Sequence, residues 1–340
     1  MAQYQSREIK DKKVWEKFLL SQHPQSFLQS WNWGETNHLI GNQVFRRGFF
    51  KNNKLIGLCL LIKQKAKRGP HLIIPAGPII DWENQELVNF VHQEIKKIAK
   101  KEKAWFVRIR PEIIDSPAAR RLFKNLGFVS APMYLHAENT WVLDITPKEE
   151  DLLLGMRKNT RYLVRKSLKS NLKLEITYQP SAALILKKLQ EATIHRHHFV
   201  GFPEEFFRAL LKTFGADHQA QVFIAKLEKE VLAAALIIFY TDTAYYYLGA
   251  SSDKIKKIPA SYFLQWQIIK EAKRKGFKNY NFWGIAPTNN PRHRFWGVTV
   301  FKKGFGGQRI DWLHAQDLPL TPLYWLTHIF EKGRKLRRSL

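Results

Sequence analysis

Three things are scarce in this sequence. It has one cysteine in 340 residues, and Cys59 sits in the apolar run LIGLCLLI, where it reads as a small buried hydrophobe. A single thiol excludes a disulfide framework and any cysteine-rich metal site. Long apolar runs are missing too. No stretch reaches the about 18 residues that a membrane helix needs, and the opening MAQYQSREIKDKK lacks the apolar core of a signal peptide, so a cytoplasmic chain that does not span a membrane is expected. Acidic residues are few, with 29 Asp and Glu against 56 Lys and Arg. HExxH is absent, and no Asp, Glu or Cys completes a zinc set with His195 and His198 of HRHHF, so neither a metal nor a cofactor is expected.

What is present describes a folded, basic protein. Hydrophobic residues make up 45%, with 11 Trp and 23 Phe, which excludes a disordered chain. The length supports a sizeable core and favours two domains. The formal charge of +27 favours a nucleic acid, an anionic membrane surface or a phosphorylated substrate as partner.

Along the chain, 14–20 reads as a short amphipathic helix. Strands at 43–50 and 54–64 are joined by Asn52-Asn53 as a hairpin. A third strand at 71–80 is broken by Pro75, Gly77 and Pro78, where its backbone turns to line a cleft. A helix at 86–103, a strand at 105–111 and a helix at 116–125, closed by Gly127, follow. The second half repeats this order. QVFIAKLEKEVLAAALIIFY at 221–240 matches QVFRRGFFKNNKLIGLCLLI at 43–62 with an offset of 178. The segment ending at Pro287 matches the one ending at Pro111 with an offset of 176, and FKKGF at 301 lies 178 beyond FKNLGF at 123. Three matches in one order at nearly constant spacing argue for two copies of one α/β unit.

Between the copies, Thr146, Pro147 and Glu149 predict an N-cap, a first-turn proline and a capping box, opening a helix that runs through LLLGMRKNTRYLVRKSLK to 169. Arg157, Arg161 and Arg165 are four apart and share a face. That face is either solvated or a ridge that meets phosphates, and the overall charge favours the ridge. A second basic cluster, KGRKLRR at 332–338, reads as a solubilising tail. Arg196 closes a helix from 182 to about 198, either as part of a polar helix terminus or as a guanidinium able to fork a carboxylate or phosphate. In YYYLGASS at 245–252, alternation places Tyr246 on one strand face and Tyr245 with Tyr247 on the other. Asn281–Gly307 then joins an aromatic strand to Phe301, Lys302 and Lys303 before three glycines. A positive charge beside tight-turn glycines can hold an anionic or acyl-bearing group; the plainer reading is a solvated helix end.

Taken in order, FLQSWNWGE, the Gly77-Pro78 turn, TWVLDIT, MRKNTRYLVRKS, YYYLGASS, PASYFLQWQIIKEAKRKG, NFWGIAP and GVTVFKKGFGG resemble the Fem-type peptidoglycan bridge-forming aminoacyltransferases, the FemABX family, over nearly the whole chain. The resemblance implies an α/β fold with mixed sheets, built as tandem GCN5-related N-acyltransferase-like domains. The first would span 1–146 joined by 315–340, the second 147–314. It implies transfer of an amino acid, often Gly, Ala or Ser, from charged tRNA to the stem-peptide amine of a peptidoglycan precursor, either a UDP-linked or a lipid-linked muramyl pentapeptide. Lys302 with Phe301 matches the position that holds the reactive end in relatives. Where relatives carry a lysine after the first tryptophans, this chain has Asn37, beside Trp33. No heptad stretch marks a helical arm.

An aminoacyl ester is already activated, so such an enzyme need only align the amine, release its proton and steady the oxyanion. Lys302 is expected to do the last. Arg196, Tyr247, Asn37, Trp33, Lys67 and Arg68 are expected to contact substrate, the last two near a diphosphate. Arg157, Arg161, Arg165, Lys166 and Lys303 would contact tRNA. A monomer with peripheral contact at the inner face of the plasma membrane is expected. The competing classes are another N-acyltransferase of this fold and a non-catalytic RNA-binding protein. The Q/R-x-x-G-x-G/A loop of coenzyme A enzymes is not found in its usual setting.

Overall fold

The computed structural model describes residues 4–22, 26–66, 69–197, 201–252 and 258–337. The chain forms two compact units, Met1–Glu138 with Asp311–Leu340, and Asn139–Ile310. The first unit opens with β1 (Tyr4–Glu8), α1 (Lys12–Leu20), α2 (Trp31–Leu39), β2 (Gln43–Lys51), β3 (Lys54–Ala66), β4 (Gly69–Pro75), α3 (Gln85–Lys101), β5 (Phe106–Arg110), α4 (Pro117–Asn125) and β6 (Val129–Ser130). The second comprises β7 (Asn139–Asp144), α5 (Glu149–Gly155), α6 (Lys158–Leu168), β8 (Leu172–Thr177), α7 (Ala183–His197), α8 (Glu204–Ala216), β9 (Ala220–Leu227), β10 (Glu230–Tyr240), β11 (Thr243–Ser251), α9 (Ala260–Arg274), β12 (Asn279–Gly284), α10 (Trp296–Lys303) and β13 (Gln308–Asp311). The chain then returns to the first unit as β14 (Gln316–Pro319) and α11 (Tyr324–Arg337).

Each unit is built on a seven-stranded mixed sheet, ordered β1-β2-β3-β4-β5-β14-β6 and β13-β7-β12-β11-β10-β9-β8. The repeat seen in the sequence is a repeat of topology. In both units an antiparallel hairpin (β2-β3, β9-β10) leads to a third strand, a helix and a strand parallel to that third one, β4 with β5 and β11 with β12. The hairpin turn at Asn52 and Asn53 has φ of 49° and 64°, the left-handed geometry that asparagine tolerates and two-residue hairpins require. In the first core, Leu87, Val91, Ile95 and Ala99 of α3 and Phe123 of α4 pack on Leu72, Ile74, Val107 and Ile109 of the sheet. In the second, Phe263, Leu264, Ile268 and Ala272 of α9 cover Phe223, Ala235, Ile237 and Tyr280. Such runs bury their apolar face because it repeats at helical spacing.

Two sequence expectations are corrected. The unit boundary lies at 138/139, before the expected 147, because β7 pairs with β12 in the second sheet. The helix expected from Pro147 to 169 starts instead at Glu149, after Lys148, with no side-chain cap. The Thr146 hydroxyl and N–H both donate to Asp144 Oδ1, at 2.7 and 2.9 Å, so Asp144 closes an Asx turn and no capping box forms. The helix also breaks at Met156, whose backbone is extended (ψ 148°) and which divides α5 from α6. There the Arg157 N–H donates to Gly304 O at 2.9 Å, a tertiary bond that local propensity does not encode.

Candidate active site

The second unit holds a cavity of about 260 Å³ lined by Ala233, Ala234, Tyr246, Tyr247, Gly249, Ala250, Ser251, Ser261, Leu264, Val298, Phe301 and Lys302. It opens where two parallel strands part. β11 and β12 pair only from Thr243 to Tyr245 against Asn279 to Asn281, although β11 continues to Ser251. β12 is deflected by an irregularity between Asn281 and Gly284, with Trp283 in the left-handed region at φ 65°. A bulky residue held there is a strained conformation that the surroundings must enforce. The Trp283 N–H donates to Asn281 Oδ1 at 2.8 Å, and its ring packs against Tyr245 and Tyr247 with centroids 5.9 and 5.7 Å away.

Lys302 reaches this cavity from the last turn of α10. Thr299 and Lys302, three apart, are the buried residues of that short helix. Thr299 Oγ1 accepts from the Ala286 N–H and donates to Phe295 O, both at 2.8 Å, docking the helix on the chain that leaves β12. Lys302 is 6% exposed. Its Nζ donates to Gly284 O at 2.6 Å and lies 5.8 Å from the Tyr246 ring centroid. It forms no ion pair among the described residues. Burial draws its pKa from 10.5 down to about 7, because a low-dielectric site disfavours the ammonium. A buried amine without a carboxylate partner is an uncommon arrangement, and one that a developing negative charge would relieve. Phe301 beside it packs edge-on against Tyr262 and Phe305 with centroids 5.0 and 5.3 Å away.

Both Tyr246 and Tyr247 line the cavity, which simple alternation forbids. β11 slips by one residue against β10, Leu236 facing Leu248 while Ile237 faces Tyr246, and a bulge of this kind re-aims side chains. Burial pushes the Tyr246 phenol up to about 12 against a hydrogen bond with Gln265, and Gln265 also accepts from the Tyr280 hydroxyl at 2.8 Å. Burial raises Tyr247 as well; its ring is flanked by Phe202 and Phe206 at 6.2 and 6.3 Å. A Cβ on Gly249 would collide with the Tyr246 hydroxyl, so that glycine makes room for the phenol.

The other sequence-predicted residues divide. Trp33 and Asn37 are buried in the first unit. Trp33 packs edge-on against Phe27 and His136. The Asn37 amide donates to Trp33 O at 2.9 Å, while its oxygen accepts from Asn42 at 3.1 Å. Neither lines the cavity of the second unit. The Arg157 guanidinium donates to Val300 O, and Arg161 Nη1 donates to Leu154 O at 3.0 Å, so two members of the arginine row tie α6 to α10 and α5. Arg165 and Lys166 are exposed. Lys303 Nζ donates to Asn289 Oδ1 at 3.2 Å and sits over Trp141, 5.2 Å from its centroid. Arg196 falls in the last turn of α7, its side chain outside the described ones; Lys67 and Arg68 lie outside the described residues. Sequence reasoning missed Tyr246, Gly249, Gln265 and Trp283. One signal was available for Gln265, an amide that, with Gln267, interrupts the apolar run SYFLQWQII.

The FemAB family model matches residues 11–120, 129–230 and 217–332. The lipid II:glycine glycyltransferase of Staphylococcus aureus strain USA300 is 23% identical over an alignment of 383 positions, covering 89% of this chain and 91% of that protein. Its Staphylococcus epidermidis counterpart is 22% identical over 384, covering 91% of each. Among solved structures, a crystal structure of FemX superposes with a TM-score of 0.83 at 21% identity, covering 95% of this chain and 99% of that one. A tandem GNAT protein from the clavulanic acid biosynthesis pathway gives 0.62 at 9%, covering 95% and 99%, which places the fold among GNAT-type acyltransferases. With its ordered motifs matched along most of its length, the chain belongs to the FemAB family of aminoacyltransferases.

Proposed function

We propose that this chain transfers an amino acid from its ester on tRNA to the free stem-peptide amine of a peptidoglycan precursor, with the second-unit cavity receiving the aminoacyl end. The observation that carries this reading is Lys302, a buried amine that ends in that cavity beside a main-chain carbonyl. The acceptor nitrogen attacks the ester carbonyl; a C–N bond forms, the C–O bond to the ribose breaks, and the amine proton leaves with the ribose oxygen or to solvent. The charge that builds on the carbonyl oxygen is met by the Lys302 ammonium. In a site that excludes water such a charge acts strongly and needs no reorganisation. An approaching negative group also raises the lysine pKa and holds it protonated.

Gly, Ala or Ser is the expected cargo, and the glycine in the name of the staphylococcal relatives supports a small one. Arg165 and Lys166, exposed on α6, supply charge for the tRNA backbone. The name of the staphylococcal relatives, lipid II:glycine glycyltransferase, supports a lipid-linked acceptor. The test offers purified protein a panel of charged tRNAs with UDP-linked and lipid-linked precursors and reads the mass of the product. Addition of one small residue is expected. Failure with every pair, together with transfer from acetyl-CoA to another amine, would contradict the proposal.

A further inference from the structure

Helix α11 is amphipathic in the inverted sense. Its inward face, Tyr324, Thr327, His328 and Glu331, is polar and buried. Its outward face carries Leu326 at 63% exposure, Ile329 at 67% and Phe330 at 60%, with Trp325 and Leu336 also exposed and Leu323 exposed just ahead of the helix. These residues follow the i, i+3, i+4 spacing of one stripe. The orientation is locked from inside the first unit. Arg108 of β5 donates to both carboxylate oxygens of Asp317 on β14, at 2.7 and 2.8 Å, and to Glu331 of α11 at 2.7 Å. The Tyr324 hydroxyl donates to Asp317 Oδ2 at 3.1 Å and bonds His328 Nδ1 at 2.8 Å. Turning the helix to hide its apolar stripe would break this network and strand buried charges.

We infer that the exposed stripe of α11 is a membrane-surface element that lies on an anionic phospholipid bilayer, with Leu326, Ile329 and Phe330 entering the headgroup boundary. Charge selects the occupant. The last turns hold Lys332, Arg334, Lys335 and Arg337, and the one acid of the helix, Glu331, is buried against Arg108. Cations beside an apolar stripe match anionic lipid headgroups. Two copies of the chain docked stripe to stripe would instead bring like charges together. Among the described residues no helix is long and apolar enough to cross a membrane, so the contact is peripheral. It does not depend on the transfer reaction, and its test reads binding alone.

The full chain is sedimented with phosphatidylcholine vesicles with and without phosphatidylglycerol, beside the double variant Ile329→Ser/Phe330→Ser, which keeps the net charge and alters side chains that lie outside the core. The expected result is binding to phosphatidylglycerol vesicles that the double variant weakens by about tenfold or more, with its unfolding midpoint unchanged. A second variant, Lys332→Gln/Arg337→Gln, is expected to weaken binding to the anionic vesicles and to flatten its salt dependence. Equal binding by wild type and Ile329→Ser/Phe330→Ser would reduce the contact to adsorption of a basic protein and overturn the proposal. A wild-type protein that ignores vesicles but forms dimers that the serine variant dissolves would overturn it in favour of a second copy.

Discussion

In the first unit the buried cation Arg108 faces two carboxylates, Asp317 and Glu331, at 2.7 Å each. In the second, the buried cation Lys302 faces the carbonyl of Gly284. The two units share one sheet plan, but the cations sit at different places in it, Arg108 on β5 within the parallel pair and Lys302 on α10, the helix that follows β12. Where the charge is neutralised, the site is closed and serves to fix a strand and a helix. Where it is left to a carbonyl dipole, the site is open to a cavity and its charge is available to substrate. The acids placed around a buried cation thus separate an architectural charge from one open to a cavity.

That contrast can be broken from either side. The largest effect is expected at Arg108→Met, which leaves Asp317 and Glu331 buried without their cation and should cost about 3–5 kcal/mol of stability, read as a lower denaturation midpoint. Next, Lys302→Met should slow transfer by roughly 10²–10³-fold with tRNA affinity little changed, while stabilising the unliganded protein. The sign follows from its pKa. Drawn down to about 7 in the folded state, Lys302 opposes folding wherever it is forced to carry charge; that penalty is complete below about pH 7 and fades as pH rises toward the unfolded value. The gain in melting temperature from Lys302→Met should therefore be greatest below pH 7 and shrink above it. Gly249→Ala, which drives the Tyr246 phenol from its place, should cut transfer by about tenfold. The smallest effect is expected at Arg165→Ser/Lys166→Ser, a few-fold loss of tRNA affinity with a salt slope shallower by about 1 to 2.

The repeat, both hairpins and Lys302 as the residue of interest were legible because each rests on local pattern: strands paired around Asn52-Asn53, a second pair that matches them at a constant offset, and a lysine before glycines whose turn the chain needs. Gly307 shows that need, with φ 95° and the Val142 carbonyl close to where a Cβ would stand. What the sequence hid depends on partners far away in the chain. The segment LLLGMRKNTRY has unbroken helical character, yet it breaks where Arg157 meets Gly304. Strand alternation separates Tyr246 from Tyr247, and only the bulge between Leu236 and Ile237 lets both line the cavity. α11 is the sharpest case. In the sequence only its basic end stands out, and that reads as a solubilising tail. The structure turns the stripe outward because Arg108, 223 residues before Glu331, requires that acid inside.

The central claim is that Lys302 acts as a buried positive charge. The most direct measurement is the pH dependence of kcat/KM for transfer by wild type and by Lys302→Arg. If the ammonium steadies the oxyanion, wild-type kcat/KM should carry a descending limb near pH 7 that the permanently charged arginine variant lacks, while that variant retains measurable transfer. An ascending limb near pH 7 with an inactive arginine variant would mean that the neutral amine takes a proton, and would contradict the account.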